Sequence, residues 1–203
     1  MSTPTTPHDP SSRTPSRGRC YVYVFPCACE DILKLGFSRD PLVRLQTLHR
    51  RYFEFFDLDR ALLIETETVR DARRLELALA EGIEPHNAPA PLLVRREAGG
   101  HTEWYRGAFE YLQQAANELL VAGHVVHQPA APWLRSCLIG NDRLYSWSNE
   151  TLLAIESDAY PTETAADLRR ALRDALDAYA ALNIELEPLV SRAVFRWYRD
   201  SRP

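Results

Sequence analysis

An α+β fold is predicted for this chain: a small antiparallel three-stranded sheet flanked by helices, followed by a mainly helical C-terminal region. Three observations carry that expectation. Residues 21–25 alternate an aromatic set (Tyr21, Tyr23, Phe25) with a β-branched set (Val22, Val24), the period of a strand with both faces covered. Two further short runs, Ile32 to Phe37 and Arg60 to Glu67, read as its partners. Elsewhere apolar residues recur at helical spacing, as in Leu168, Leu172, Ala175, Tyr179 and Leu182.

Residues 1–18 are rich in Pro, Ser and Thr and lack an apolar stretch, so they read as a disordered tail and not as a secretory signal. After the second strand, Gly36 and Ser38-Arg39-Asp40-Pro41 break the pattern; Asp40 is placed to cap a helix whose first residue is Pro41. That helix turns Leu42, Leu45 and Leu48 inward and Arg44 to one side. Between residues 34 and 51 the basic side chains are Lys34, Arg39, Arg44, Arg50 and Arg51, against the single acid Asp40. A phosphate suits that setting, with Arg39 and Arg51 as candidate nucleic-acid contacts. The aromatic run Tyr52 to Phe56 either stacks bases or, more commonly, covers the edge of a small sheet.

The spacing predicts a helix over 69–83, with Gly82 near its end and Leu75 and Leu79 on the buried stripe. Glu76 has Ala72 and Ala80 four residues to either side, a small apolar face on which a carboxylate is unusual. Read from spacing alone it is a salt-bridge partner of Arg73, an exposed edge residue, or a functional acid. Leu92-Leu93-Val94 reads as a short extended segment, His101 as a solvent-exposed histidine, Trp104 as a core anchor, and residues 108–122 as a helix.

Gly123 to Pro132 reads as a boundary, giving a domain over 19–128 and a helical module over 129–203. Residues 161–199 read as a helical hairpin broken at Asn183, with Val190, Val194 and Trp197 on its second stripe. With nine basic and eleven acidic residues from Pro129 onward, this module has no charge signature for DNA. Homodimerisation, a protein partner, or a lid over the first domain are its open roles.

A formal charge of −4 excludes a coat protein with a uniformly basic surface, but not an enzyme that needs positive charge only along a bound backbone. Lys34 is the one lysine among 24 basic residues. The four cysteines, Cys20, Cys27, Cys29 and Cys137, lack the spacing of a disulfide framework or a complete zinc site, and read as reduced thiols. No run approaches the roughly 20 apolar residues of a membrane helix, and a cytoplasmic location is expected.

Tyr21-Val22-Tyr23, then Lys34-Leu35-Gly36-Phe37-Ser38, with Arg44 eight residues beyond the glycine, resembles the GIY-YIG nuclease superfamily. Within it the similarity is to the phage-type branch, whose second motif reads lysine, apolar, glycine. Glu76 within a later helix and Glu103-Trp104-Tyr105 before a terminal helix fit the same order, over about residues 19–122.

The resemblance implies a divalent-metal-dependent endonuclease acting on DNA of undetermined strandedness, with Tyr23 as general base for the attacking water. Glu76 is the candidate ligand for Mg²⁺ or Mn²⁺, because such an ion needs only one or two carboxylates beside phosphate and water. Arg44 can hold a non-bridging phosphate oxygen through paired donors. Lys34 stands where the superfamily more usually has a second tyrosine and is expected to lower the cost of ionising Tyr23. The alternative is a catalytically weak or inactive member that binds nucleic acid without turnover.

Overall fold

In the computed structural model, residues 17–94, 102–157 and 161–201 are described. His101 and all but the last two residues of the expected tail lie outside them. Three strands form the centre of the sheet: β1 (Arg17–Pro26), β2 (Ile32–Ser38) and β3 (Leu62–Thr68), with β1 paired antiparallel to both others. The sheet has six strands, not the three expected. Strands β4 (Asn87–Ala88), β5 (Trp104–Arg106) and β6 (Val126–His127) extend it in the order β4-β5-β2-β1-β3-β6, every pairing antiparallel. Each added strand has only two or three residues, too few for an alternation of period two to stand out in the sequence.

The alternation in β1 has the meaning its period implies. Cys20, Val22 and Val24, with Leu33, Leu35, Leu62 and Ile64, face helices α3 (Val69–Glu81) and α4 (Phe109–Val121). Tyr21, Tyr23 and Phe25, with Ile32, Leu63 and Trp104, face the opposite layer. That layer contains α1 (Pro41–Leu48), α2 (Tyr52–Phe55), α5 (Ala131–Ile139), α6 (Leu144–Glu156), α7 (Thr162–Ala181) and α8 (Arg192–Asp200). The C-terminal region is therefore helical, with two helices ahead of the hairpin. Its second stripe is Val190, Val194 and Tyr198, with Trp197 only partly covered.

Local chemistry sets the helix ends. Asp40 accepts the backbone N–H of Val43 at 3.0 Å and Pro41 opens α1. Thr68 both ends β3 and accepts the N–H of Asp71 at 3.1 Å, so α3 starts directly from the strand. Asn183, at φ 55°, takes the left-handed turn after α7 that asparagine tolerates better than most residues. The extended segment expected at 92–94 is instead a turn in which the Val94 N–H donates to Pro91 O; Leu92 and Leu93 are exposed and only Val94 is buried. Tyr52 and Phe56 are buried, with Phe56 stacked between layers near Trp104 and Phe25, so these aromatics cover the sheet.

Candidate active site

Tyr23 lies directly across from Gly36 in the β1–β2 register. A Cβ at position 36 would fall 2.4 Å from the Tyr23 hydroxyl oxygen and 2.6 Å from the ring carbon that bears it. The phenol therefore occupies the space a side chain would need. Its ring stacks on Phe25 at 4.3 Å between centroids and 7° between planes. The capped start of α1 brings Arg44 to the same place, and its Nε donates to Tyr23 Oη at 3.2 Å. Burial pushes the Tyr23 phenol above its ordinary pKa; the Arg44 charge and hydrogen bond oppose that rise, and the charges of Glu76 and Glu103 add to it.

Lys34 is fully buried. Its ammonium donates to Thr102 O at 2.7 Å, Glu103 Oε2 at 2.8 Å and Leu35 O at 3.0 Å, which uses all three of its protons. Burial depresses the Lys34 pKa, while Glu103 holds the proton on. Burial would raise the Glu103 carboxyl, but Lys34, Thr102 and Arg44 together keep it below its ordinary value. Glu103 sits at φ 58°, an uncommon backbone conformation for a residue with a side chain. Its carbonyl accepts the Leu35 N–H at 3.1 Å, and so the chain enters β5 with residue 103 clamped at both ends. Its donors are all spent on residues 35, 102 and 103, so the help expected of Lys34 toward Tyr23 would come through its charge alone.

Glu76 lies on the buried stripe of α3 with Ala72 and Leu79. It is 9% exposed, and no hydrogen bond or ion pair engages its carboxylate among the described residues. Neither a salt bridge to Arg73 nor an exposed edge position describes it. Burial raises its pKa, the Glu103 charge raises it further, and Lys34 and Arg73 oppose the rise. Its charge is in turn felt at Tyr23, Lys34, Tyr105 and Cys20. Glu76 and Tyr23 thus come from helix and strand faces on opposite sides of the sheet, yet share one electrostatic neighbourhood with Glu103.

Arg39 is exposed in the β2–α1 turn, where its charge reaches Cys20. Arg51 is elsewhere: it pairs with Glu54 and, on α7, with Asp174 at 2.7 Å and Asp177 at 2.9 Å. It ties α7 to the segment after α1. Glu103 is the site residue that sequence reasoning saw only as part of a triplet. The available signal was that a solitary lysine in an apolar strand needs an acid.

Among the described residues, no group of three or more His, Cys, Asp or Glu side chains could hold a metal ion. A closed zinc-type cage is thereby unsupported there, whereas one unengaged carboxylate with a second nearby suits a hard cation that keeps most of its waters. Also among the described residues, no helix is long and apolar enough to cross a membrane.

The T5orf172 domain family model matches residues 20–120, just under half of the chain and the whole of the segment that supplies these side chains. This is a different family from the GIY-YIG nucleases, and the match overturns that resemblance. No curated protein and no solved structure matches the chain.

Two outcomes follow from the geometry. Gly36→Ala is expected to cost about 1–3 kcal/mol in denaturant unfolding, since the stacked Tyr23 ring has to move; a cost near zero would mean the ring shifts freely. For Glu76, a folded pKa above the unfolded value of 4.5 means that no penalty exists below 4.5 and that stability is lost as pH rises through the folded pKa. Glu76→Gln should therefore melt with the wild type at about pH 4 and above it at about pH 7. A difference independent of pH, read by thermal unfolding across that range, would refute the raised carboxyl.

Proposed function

We propose that the protein is a divalent-metal-dependent endonuclease that hydrolyses phosphodiester bonds in DNA. The observation that carries this reading is the Arg44–Tyr23 hydrogen bond within electrostatic reach of a buried carboxylate, Glu76, that no group engages among the described residues. A nucleic-acid-related role is compatible with the T5orf172 match.

Each residue has a distinct part in this scheme. Arg44 is half-buried and always charged, so it can neutralise a phosphate oxygen as negative charge develops in the transition state. The raised pKa of Tyr23 argues against a standing phenolate. With Arg44 Nε donating to it, Oη retains its own proton and a lone pair. The phenol can then take the proton of the attacking water as it gives its own to a phosphate oxygen, without ionising first. Glu76 would hold Mg²⁺ or Mn²⁺, which when bound supplies positive charge to the phosphoryl oxygens. Lys34 acts as a positioning residue: through Glu103 and Thr102 it fixes the backbone at the margin of the site.

Near-complete burial of Tyr23 at 2% exposure favours a second reading, in which the same site binds nucleic acid without cutting it. That reading predicts salt-sensitive binding with no turnover.

Plasmid and single-stranded DNA incubated with wild type, Glu76→Ala and Arg44→Ala, with Mg²⁺ or with EDTA, test the proposal. Wild-type cleavage should stop in EDTA, and each variant should lose on the order of 100-fold or more. Mg²⁺ should also raise the melting temperature of the wild type and leave that of Glu76→Gln unchanged. Cleavage that survives EDTA, or full activity in both variants, would overturn it; binding without cleavage would install the second reading.

A further inference from the structure

A cavity of about 660 Å³ opens where α1 and α2 meet α5, α6 and α7, lined by none of the side chains of the candidate active site. Tyr52 lies against it at 2% exposure, and its hydroxyl is the one buried side-chain polar atom without a hydrogen-bond partner among the described residues. Gln46, which also lines the cavity, approaches the phenol without closing a bond of normal geometry. A phenylalanine would fill the same space without stranding a polar group, which costs about 1–3 kcal/mol when buried unpaired.

The rest of the lining narrows the chemistry. Trp147 on α6 offers an indole that is 38% exposed. Ala171 and Ala175, one turn apart on α7, offer a wall with nothing beyond Cβ. An aromatic surface and a smooth wall suit a flat ring. The charges suit an anion beside it. Asp174 is held by Arg50 and Arg51, and Asp167 by Arg170. Arg143, at the start of α6, makes no ion pair among the described residues, and no side chain caps that helix. The volume falls within the roughly 300–1,000 Å³ usual for small-molecule sites.

We propose that this cavity binds a nucleotide. Its base lies against Trp147 and the alanine face of α7 with its polar edge on the Tyr52 hydroxyl, and its phosphate meets Arg143 at the uncapped start of α6. The nucleotide is either free or an unpaired residue of a nucleic-acid strand. Neither source requires the nuclease reading, since no candidate catalytic side chain contributes.

The full chain, in EDTA, is titrated with nucleoside monophosphates, with the matching nucleosides, with inorganic phosphate, and with an oligonucleotide carrying one unpaired nucleotide or an abasic residue at that position. Tryptophan fluorescence and calorimetry are read together. Saturable binding of a monophosphate, weakened at least tenfold by Tyr52→Phe and by Trp147→Phe, is expected. Arg143→Ala should weaken the monophosphate and leave the nucleoside unchanged. Binding of the oligonucleotide that fails for monophosphates and is lost at the abasic position identifies the strand as the source. Folding of each variant is checked by its melting curve. Absence of saturable binding by every nucleotide and oligonucleotide, or binding by a normally folded Tyr52→Phe equal to wild type, would overturn the proposal.

Discussion

Tyr23 can lie flat on the sheet only because residue 36 has no side chain, and most of the local architecture follows from that one close approach. The glycine leaves a place for a phenol on a strand whose two faces are otherwise fully used. Phe25 fixes the ring from one side, and α1, started by Asp40 and Pro41, delivers Arg44 to its oxygen. Because β1 is bonded on both edges, it cannot slip by one residue without exchanging its aromatic and β-branched faces. Tyr23 is thus held by register as well as by packing.

Lys34 answers a second constraint, at the point where β2 loses its partner. Burying an ammonium carries an effective penalty of several kcal/mol unless its protons are all engaged. Two of the three acceptors are backbone carbonyls and only one is a carboxylate that still touches solvent. Such an arrangement specifies where residues 102–103 sit more than it stabilises the fold, and the left-handed backbone at Glu103 is maintained by it. The ion pair is a buckle across the β2–β5 margin.

The parts legible in the sequence are those with enough residues to display a period. Strands β1 and β2, the capped start of α1, and the long stripes of α3 and α7 all announce themselves. The alanines at both turns flanking Glu76 marked its face as apolar, although spacing alone left a salt bridge to Arg73 or an exposed edge open. What stayed hidden depends on distant pairings. Arg51 looks like a phosphate contact from its basic neighbours, but besides nearby Glu54 its acids lie 123 and 126 residues later. Strands of two or three residues have no pattern of their own and exist because longer ones offer them an edge. The ordered short motifs suggested one nuclease superfamily, while the match over the whole 20–120 segment is to T5orf172. Such motifs constrain a handful of positions; the domain match draws on all of them.

The charges around the sheet margin are unevenly paired, and the unevenness has a direction. Lys34 is committed to Glu103, and Arg44 to the Tyr23 oxygen, although its charge also reaches Glu103. Glu76 is left with burial and the Glu103 charge against it and only the fields of Lys34 and Arg73 in its favour. A purely structural helix face would extend the alanines of positions 72 and 80 through position 76 at no electrostatic penalty. A carboxylate kept there at a disadvantage makes physical sense if something positive joins it during function. On the nuclease reading proposed above, the same field would act on a phosphodiester, with the Arg44 guanidinium and a cation on Glu76 sharing its negative charge.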